Sequence, residues 1–285
     1  MNKELARELI TAGVHFGHGV SRWNPKMECY LFGKRGTIHI INVKETFKGL
    51  LIAKKLLTNV VSSGKDVVFV GTKRQAQNPV EEAAAKCGMH FVSQRWLGGM
   101  LTNFRTVRSR LQRLENLEEM EASGKLADES KKQESRMKRE MRKIKTNLGG
   151  VRKMNRLPGV VIVVDVRREN IALREARKLG IVTIGIIDSD SDPDMVDVAI
   201  PANDDSSKAI ELLLGELTDA VGVGKTLFKP GSGGPKPGAR GRSRRRVLAS
   251  ASQDEAAPPE PVAANTTATA AQGPAQQESE ESKAE

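Results

Sequence analysis

Four histidines, an aspartate-rich run and one Gly-Lys-Thr segment are the places where this 285-residue chain has side chains suited to reactions or ion binding. His15 and His18 are three residues apart, a spacing that puts two imidazoles on one helical face for metal or acid–base work, while His39 and His90 stand apart. Gly13 and Gly17 argue for a turn there instead of a helix. No third ligand, nucleophile or carboxylate lies near the pair in sequence, which favours packing or hydrogen-bonding roles. Asp188-Ser-Asp190-Ser-Asp192-Pro-Asp194 imitates the start of a calcium loop. Pro193 stands where the turn needs glycine, and Ala199 where a bidentate glutamate should be. The run still follows a predicted strand end and precedes Asp204-Asp205, a place where parallel sheets hold ligands. A weak divalent-ion site and plain turn and cap formation both remain open. Gly222-Val-Gly-Lys-Thr226 resembles the end of a phosphate loop, but the required earlier glycine is Asp219 and the segment follows a helix, not a strand. No Gly-x-Gly-x-x-Gly follows a predicted strand. The expectation is a non-enzyme with no cofactor and no metal ligand set.

The remaining chemistry is basic and interleaved with aromatic rings: Arg22, Trp23 and Lys26; Lys34 and Arg35 after Phe32; Lys73 and Arg74; and Arg95, Trp96, Asn103 and Arg105. Lys and Arg pair with phosphates, and rings stack on unpaired bases, the combination that recognises irregular RNA. Trp23 and Trp96 fit either stacking or core packing.

The elements that must carry these residues follow from pattern. Val67–Gly71 precedes a helical stretch near 75–87, Val160–Asp165 precedes another near 169–179, and Ile181–Ile187 and Val198–Pro201 follow as strands before a helix near 205–221. Continuous Val/Ile runs separated by helices predict an α/β fold with a parallel sheet buried on both faces. Tyr30–Phe32 and Thr37–Ile41 predict a hairpin around Gly33-Lys-Arg-Gly36. Asn42 and Glu45 open a helix through about Val61 with a capping-box pattern. Residues 105–157 break the alternation. Met137, Met141, Ile144, Leu148 and Val151 recur at coiled-coil spacing, Val107, Leu111, Leu114, Leu117 and Met120 supply a partner seam, and Ser123-Gly-Lys125 the turn. Ser130 with Gln133 forms a second capping box. Gly98-Gly99 and Gly149-Gly150 bracket this antiparallel hairpin, fitting tight turns or close backbone approach as well as flexible linkers.

The formal charge of +11 is unevenly distributed. Residues 1–104 and 105–157 each carry +8, 158–228 carry −6, 229–246 carry +7 and 247–285 carry −6. The basic segments imply a polyanion-facing surface, and the acidic one a side facing solvent or a protein. Residues 229–285, Pro/Gly/Arg-rich and then Ala/Pro/Glu-rich, cannot offset chain entropy by apolar burial and are predicted to be disordered. Cys29 and Cys87 form no Cys-x-x-Cys pair, which suits a reducing compartment. No apolar run reaches the roughly 20 residues of a membrane span, and the charged N-terminus has no secretory pattern. A soluble cytoplasmic protein is expected.

In order and spacing, Thr11-Ala-Gly-Val-His-Phe-Gly-His18, Trp23-Asn-Pro-Lys-Met27, Ile38-His-Ile-Ile-Asn42, Phe69-Val-Gly-Thr-Lys-Arg74 and Arg95-Trp-Leu-Gly-Gly-Met-Leu-Thr-Asn103 resemble the family of the second protein of the bacterial small ribosomal subunit. Leu157-Pro-Gly, Ile187–Asp194 and Ile200–Asp205 continue the resemblance, which covers about residues 5–227. Val182 departs from it, standing where many members have proline, and the tail beyond 229 has no general counterpart. The resemblance implies a flavodoxin-like domain (1–104 and 158–228) with a protruding coiled coil (105–157) and no catalytic activity. It also implies binding to 16S ribosomal RNA near the head–body junction and recruitment of the large mRNA-binding protein of the same subunit. On that reading the basic residues above, with Arg108, Arg136, Arg139 and Arg142 of the hairpin, contact RNA. Asp188, Asp190, Asp192, Asp204 and Asp205 would serve the protein dock.

Overall fold

A computed structural model describes residues 3–124 and 130–228. The elements run α1 (Lys3–Thr11), β1 (Phe16–Gly19), β2 (Leu31–Arg35), β3 (Ile38–Ile41), α2 (Val43–Ser62), β4 (Val67–Val70), α3 (Arg74–Cys87), β5 (His90–Val92), α4 (Phe104–Ala122) and α5 (Lys131–Leu148). They continue with β6 (Val160–Val164), α6 (Asn170–Leu179), β7 (Val182–Ile187), β8 (Val198–Pro201) and α7 (Ser207–Leu227). Strands β4 to β8 form a parallel sheet in the order β5-β4-β6-β7-β8. The first strand lies between the second and third, as in flavodoxin-like sheets.

Alternate side chains of the Val/Ile runs enter two apolar layers, which is why neither face needs polar residues. Val67, Phe69, Val160, Ile162 and Val164 pack with α2, α3 and α7. Val68, Val70, Val161 and Val163 pack with α6 and the root of the α4–α5 pair, through Trp96, Met100, Leu101, Leu111, Leu148 and Val151. In this layer the hairpin root covers the sheet where a crossover helix would otherwise lie. Ser130 accepts the Gln133 N–H at the start of α5, as its capping box predicts. Farther out the seam is thin: Leu114 and Leu117 are buried, whereas Met120, Met137 and Met141 are half-buried. The glycine pairs are structural. Gly99 has φ +90°, and a Cβ on Gly150 would stand 2.3 Å from the Phe91 carbonyl oxygen.

Three local expectations are corrected. Gly13 does make the expected turn, at φ +79°, but Gly17 lies in a strand, β1, which pairs with β3 to give a small antiparallel sheet of order β1-β3-β2. Strand β5 was not expected, because His-Phe-Val is too short to register as a pattern. Helix α7 runs on to Leu227 and absorbs Gly222–Thr226. There Gly224 packs against Val61 and Thr58 of α2, and the Lys225 ammonium donates to the Cys87 carbonyl at the end of α3. The Gly-Lys-Thr segment thus joins helices and does not cradle phosphate. The predicted disordered tail and Lys125 of the hairpin turn lie outside the described residues.

Candidate RNA interface

The basic residues sort into three environments. On the small sheet, Arg22, Lys34 and Arg35 are exposed. Lys34 Nζ sits 6.0 Å from the centre of the Trp23 ring, whose other neighbour is the buried His39 ring at 5.2 Å. Burial, then the charge of Lys34, lowers the His39 pKa and keeps that ring neutral. Trp23 is half-buried against these two neighbours and keeps part of its ring accessible. Along the hairpin, Arg105, Arg108, Arg136, Arg139 and Arg142 are exposed. Arg108 donates to the Met154 carbonyl and Arg142 to the Lys138 carbonyl, and neither contact neutralises charge. Arg74 and Arg95 are exposed at element ends, and Asn103 accepts from the Thr106 hydroxyl just before α4.

The third environment overturns several expectations. Trp96 is buried, and its indole N–H donates to Glu175 of α6 at 3.2 Å, so it has no face open to a base. The backbone N–H groups of Gly99, Leu101 and Thr102 donate to the same carboxylate at 2.7, 3.0 and 3.2 Å. Burial opposes that charge, yet these donors outweigh it and hold the Glu175 carboxyl below its ordinary range. Most of the Arg95–Asn103 motif therefore wraps an internal anion and fixes the start of the hairpin.

Lys26 and Lys73 are both engaged by carboxylates of the same chain, Lys73 largely buried and Lys26 in a pair at the surface. Lys26 Nζ lies 2.9 Å from Asp192 and 2.6 Å from Asp194. Lys73 Nζ lies 2.7 Å from Asp204, 2.5 Å from Asp205 and 3.9 Å from Asp165. Burial disfavours the Lys73 charge, but Asp204 and Asp205 more than offset this and raise its pKa. The same contacts engage most of the residues expected on an acidic docking face. Asp188 and Asp204 are each only 1 % exposed, Asp190 is paired with Arg167 at 2.9 Å, and Asp192 with Lys26. Of the five, Asp205 keeps 51 % of its side-chain exposure and Asp192 35 %. The acidic segment folds onto the basic one instead of turning away from it.

The histidine pair also separates. His15 stacks on Phe16 at 4.1 Å. His18, which has no carboxylate nearby in sequence, meets two in space: Nδ1 is 2.9 Å from Asp188 and Nε2 is 3.2 Å from Asp205. The contact with Asp188, opposed by burial, raises its pKa to about 9. Asp204, pushed upward chiefly by burial and then by Asp188 and Asp165, reaches about 7 despite Lys73. This cluster lies past the C-terminal ends of β4, β6, β7 and β8, the crevice where flavodoxin-like sheets hold ligands. Its carboxylates would repel a phosphate. Asp165, just past β6, holds φ +67°, the only described non-glycine residue in the left-handed region. The sequence marks only the carboxylates near 188 and 204–205; His18, Lys73 and Asp165 join them from distant positions.

A flavodoxin-like sheet whose ligand crevice is closed by ion pairs, with a basic hairpin and a basic small sheet outside it, is an α/β scaffold with two basic outer surfaces. A family profile described as ribosomal protein S2 matches residues 9–224. Small ribosomal subunit protein uS2 of Rhodopirellula baltica is 55 % identical over 225 residues, covering 79 % of this chain and 86 % of that protein. The uS2 proteins of Synechocystis sp. and Syntrophobacter fumaroxidans are each 46 % identical, covering 76 % and 77 % of this chain and 81 % and 80 % of their own lengths. The chain belongs to the ribosomal protein S2 family, whose members are structural, non-enzymatic components of the ribosome. No helix among the described residues is long and apolar enough to cross a membrane.

Proposed function

We propose that this chain is a structural constituent of the small ribosomal subunit. It binds 16S ribosomal RNA near the head–body junction and helps recruit the subunit's large mRNA-binding protein in the cytoplasm. The observation that carries the RNA contact is the pairing pattern of the bases. Arg22, Arg35, Arg74, Arg95, Arg105, Arg136 and Arg139 are exposed and make no ion pair among the described residues, while Lys73 is held by buried carboxylates and Lys26 pairs at the surface with Asp192 and Asp194. Two patches remain for phosphate: the small sheet with Arg22, Lys34, Arg35 and the edge of Trp23, and the hairpin with Arg105, Arg108, Arg136, Arg139 and Arg142. Recruitment rests on the family resemblance, with Asp205 and Asp194 the exposed members of the acidic run.

Binding of the full chain to 16S RNA as a function of salt tests this. About six phosphate contacts lower affinity by roughly three orders of magnitude between 50 and 200 mM salt. Replacing Arg136, Arg139 and Arg142 by Ser should flatten the slope of log affinity against log salt by about 2–3. Replacing Lys26 by Ser should leave that slope unchanged. A salt-independent affinity, or a slope indifferent to the triple substitution, refutes the assignment.

A further inference from the structure

Residues 158–228 hold 13 acids and 7 bases, yet five of those bases, Arg167, Arg168, Arg174, Arg177 and Lys178, fall between positions 167 and 178, just before and within α6. The only acids in that stretch, Glu169 and Glu175, are 3 % and 8 % exposed. Glu169 accepts from Thr72, and Glu175 from Trp96 and the Gly99–Thr102 backbone. The negative total of the segment therefore hides a cationic helix face.

The helical repeat separates the two sides of α6. Ala172, Leu173, Glu175 and Ala176 are buried against the layer that holds Trp96, Met100 and Leu111. At 3.6 residues per turn, Arg174, Arg177 and Lys178 share the opposite side with Ile171, and all four are exposed. Arg167 is paired with Asp190 at 2.9 Å and Arg168 donates to the Thr72 hydroxyl, so both are engaged locally. Arg177 and Lys178 stand in the last turn, where cations suit the helix dipole, and Arg177 donates to the Asp194 backbone carbonyl. Arg174 lies a turn earlier, beyond that effect. None of Arg174, Arg177 and Lys178 makes an ion pair among the described residues. Arg174 is at i,i+3 to Arg177 and i,i+4 to Lys178, spacings at which like charges cost stability. An anionic partner relieves that repulsion.

The position of this face points to the partner. Glu175 binds the 96–102 loop, which fixes α6 beside the start of the hairpin, where Arg95 and Arg105 are exposed. The α6 cations thus continue the basic surface of the hairpin root. Protein interfaces gather aromatic side chains at their centre and are depleted of Lys. Here no aromatic ring is present and Ile171 stands alone among three cations, which suits a phosphate backbone better than a protein.

On the reading that the chain binds 16S RNA, we propose that the outer face of α6, through Arg174, Arg177 and Lys178, is a further contact surface for the RNA phosphate backbone. The Glu175 clasp holds this face and the hairpin in one orientation, so that both meet the RNA together. Contacts of this kind fix position and confer salt dependence without reading sequence.

The test uses the full chain carrying Arg174→Gln, Arg177→Gln and Lys178→Gln, which preserve helix propensity. Its affinity for 16S RNA is measured between 50 and 200 mM salt beside the chain with Arg136, Arg139 and Arg142 replaced by Ser. The α6 variant should flatten the slope of log affinity against log salt by about 2–3. An unchanged slope in the α6 variant beside a flattened one in the hairpin variant overturns this surface and leaves RNA binding by the hairpin standing. Unchanged slopes in both overturn the RNA reading itself. Because Arg177→Gln also removes the bond to the Asp194 carbonyl, amine labelling of the wild-type chain supplies a readout that no folding defect can mimic. Lys178 should react more slowly in the complex with 16S RNA than in the free chain, whereas Lys55, exposed on α2 in the opposite layer, should react equally in both. Equal labelling of Lys178 free and bound would overturn the proposal. So would protection that appears only when other small-subunit proteins are added, which would mark α6 as a protein dock.

Discussion

Replacing Glu175 by Ala removes the acceptor that Trp96 and the Gly99–Thr102 backbone share. In the folded chain this carboxylate receives three backbone N–H groups, the Trp96 indole and the Thr102 hydroxyl. Leaving a buried donor without a partner costs about 1–3 kcal/mol. Water satisfies some of these donors once the side chain is gone, because Gly99 and Thr102 are only partly buried. The indole N–H and the Leu101 N–H have no such recourse, and the expected loss is about 3–5 kcal/mol. Gln is only a partial rescue: its amide keeps one acceptor oxygen but turns N–H groups toward a cluster of N–H donors, and about 2–3 kcal/mol should still be lost. Urea unfolding of wild type, Glu175→Ala and Glu175→Gln measures this. Hydrogen exchange should show early opening at residues 99–102 ahead of the parallel sheet.

Acid supplies a second reading of the same group. Because the folded Glu175 carboxyl lies below its ordinary value, its ionisation stabilises the fold above the unfolded value of about 4.3. That contribution is lost as pH falls through the lower folded value. The stability gap between wild type and Glu175→Gln should therefore be full at neutral pH and shrink below about pH 4.3. A loss under about 1 kcal/mol for Ala, or a gap that is flat across the acid range, would refute the view that this motif is an internal anion clasp.

Two further substitutions probe the frame around it. Gly150→Ala would set a methyl 2.3 Å from the Phe91 carbonyl and 2.8 Å from its ring, and should cost about 1–3 kcal/mol in thermal unfolding, with β5 exchanging faster. Lys225→Met removes the ammonium that donates to the Cys87 carbonyl at the end of α3 and should cost about 0.5–1 kcal/mol, read from the urea midpoint.

The sheet was readable because Val160–Val164 and its neighbours are buried on both faces, so hydrophobicity alone marks them. Ser130 was readable because a capping box is local, with donor and acceptor three residues apart. Strand β1 was not: Phe-Gly-His-Gly has little strand propensity of its own and is held by pairing to β3. The sorting of basic residues was opaque for a related reason. Lys26 and Asp192 are 166 positions apart and Lys73 and Asp204 are 131 apart, so no window along the chain reveals which cations are already neutralised. The Trp96 motif misled most, since aromatic and basic neighbours suggest RNA while the partner that explains the ring, Glu175, lies 79 residues on.

The place of the α4–α5 pair in the connectivity has a consequence for how the chain comes together. Strand β6 sits in the middle of the parallel sheet, between β4 and β7, yet the chain reaches it only after leaving β5 at Val92 and passing through both long helices. During synthesis, β4 and β5 must stand with one side unfilled until residues 160–164 emerge, while the helical excursion has only near neighbours to find. Local helical pairing precedes non-local strand docking, so the hairpin is in place first, and the apolar layer formed by Met100, Leu111, Leu148 and Val151 becomes the platform on which the central strand closes. Shortening this arm at its tip leaves that order untouched, whereas cutting it at the root removes the surface on which the sheet completes itself.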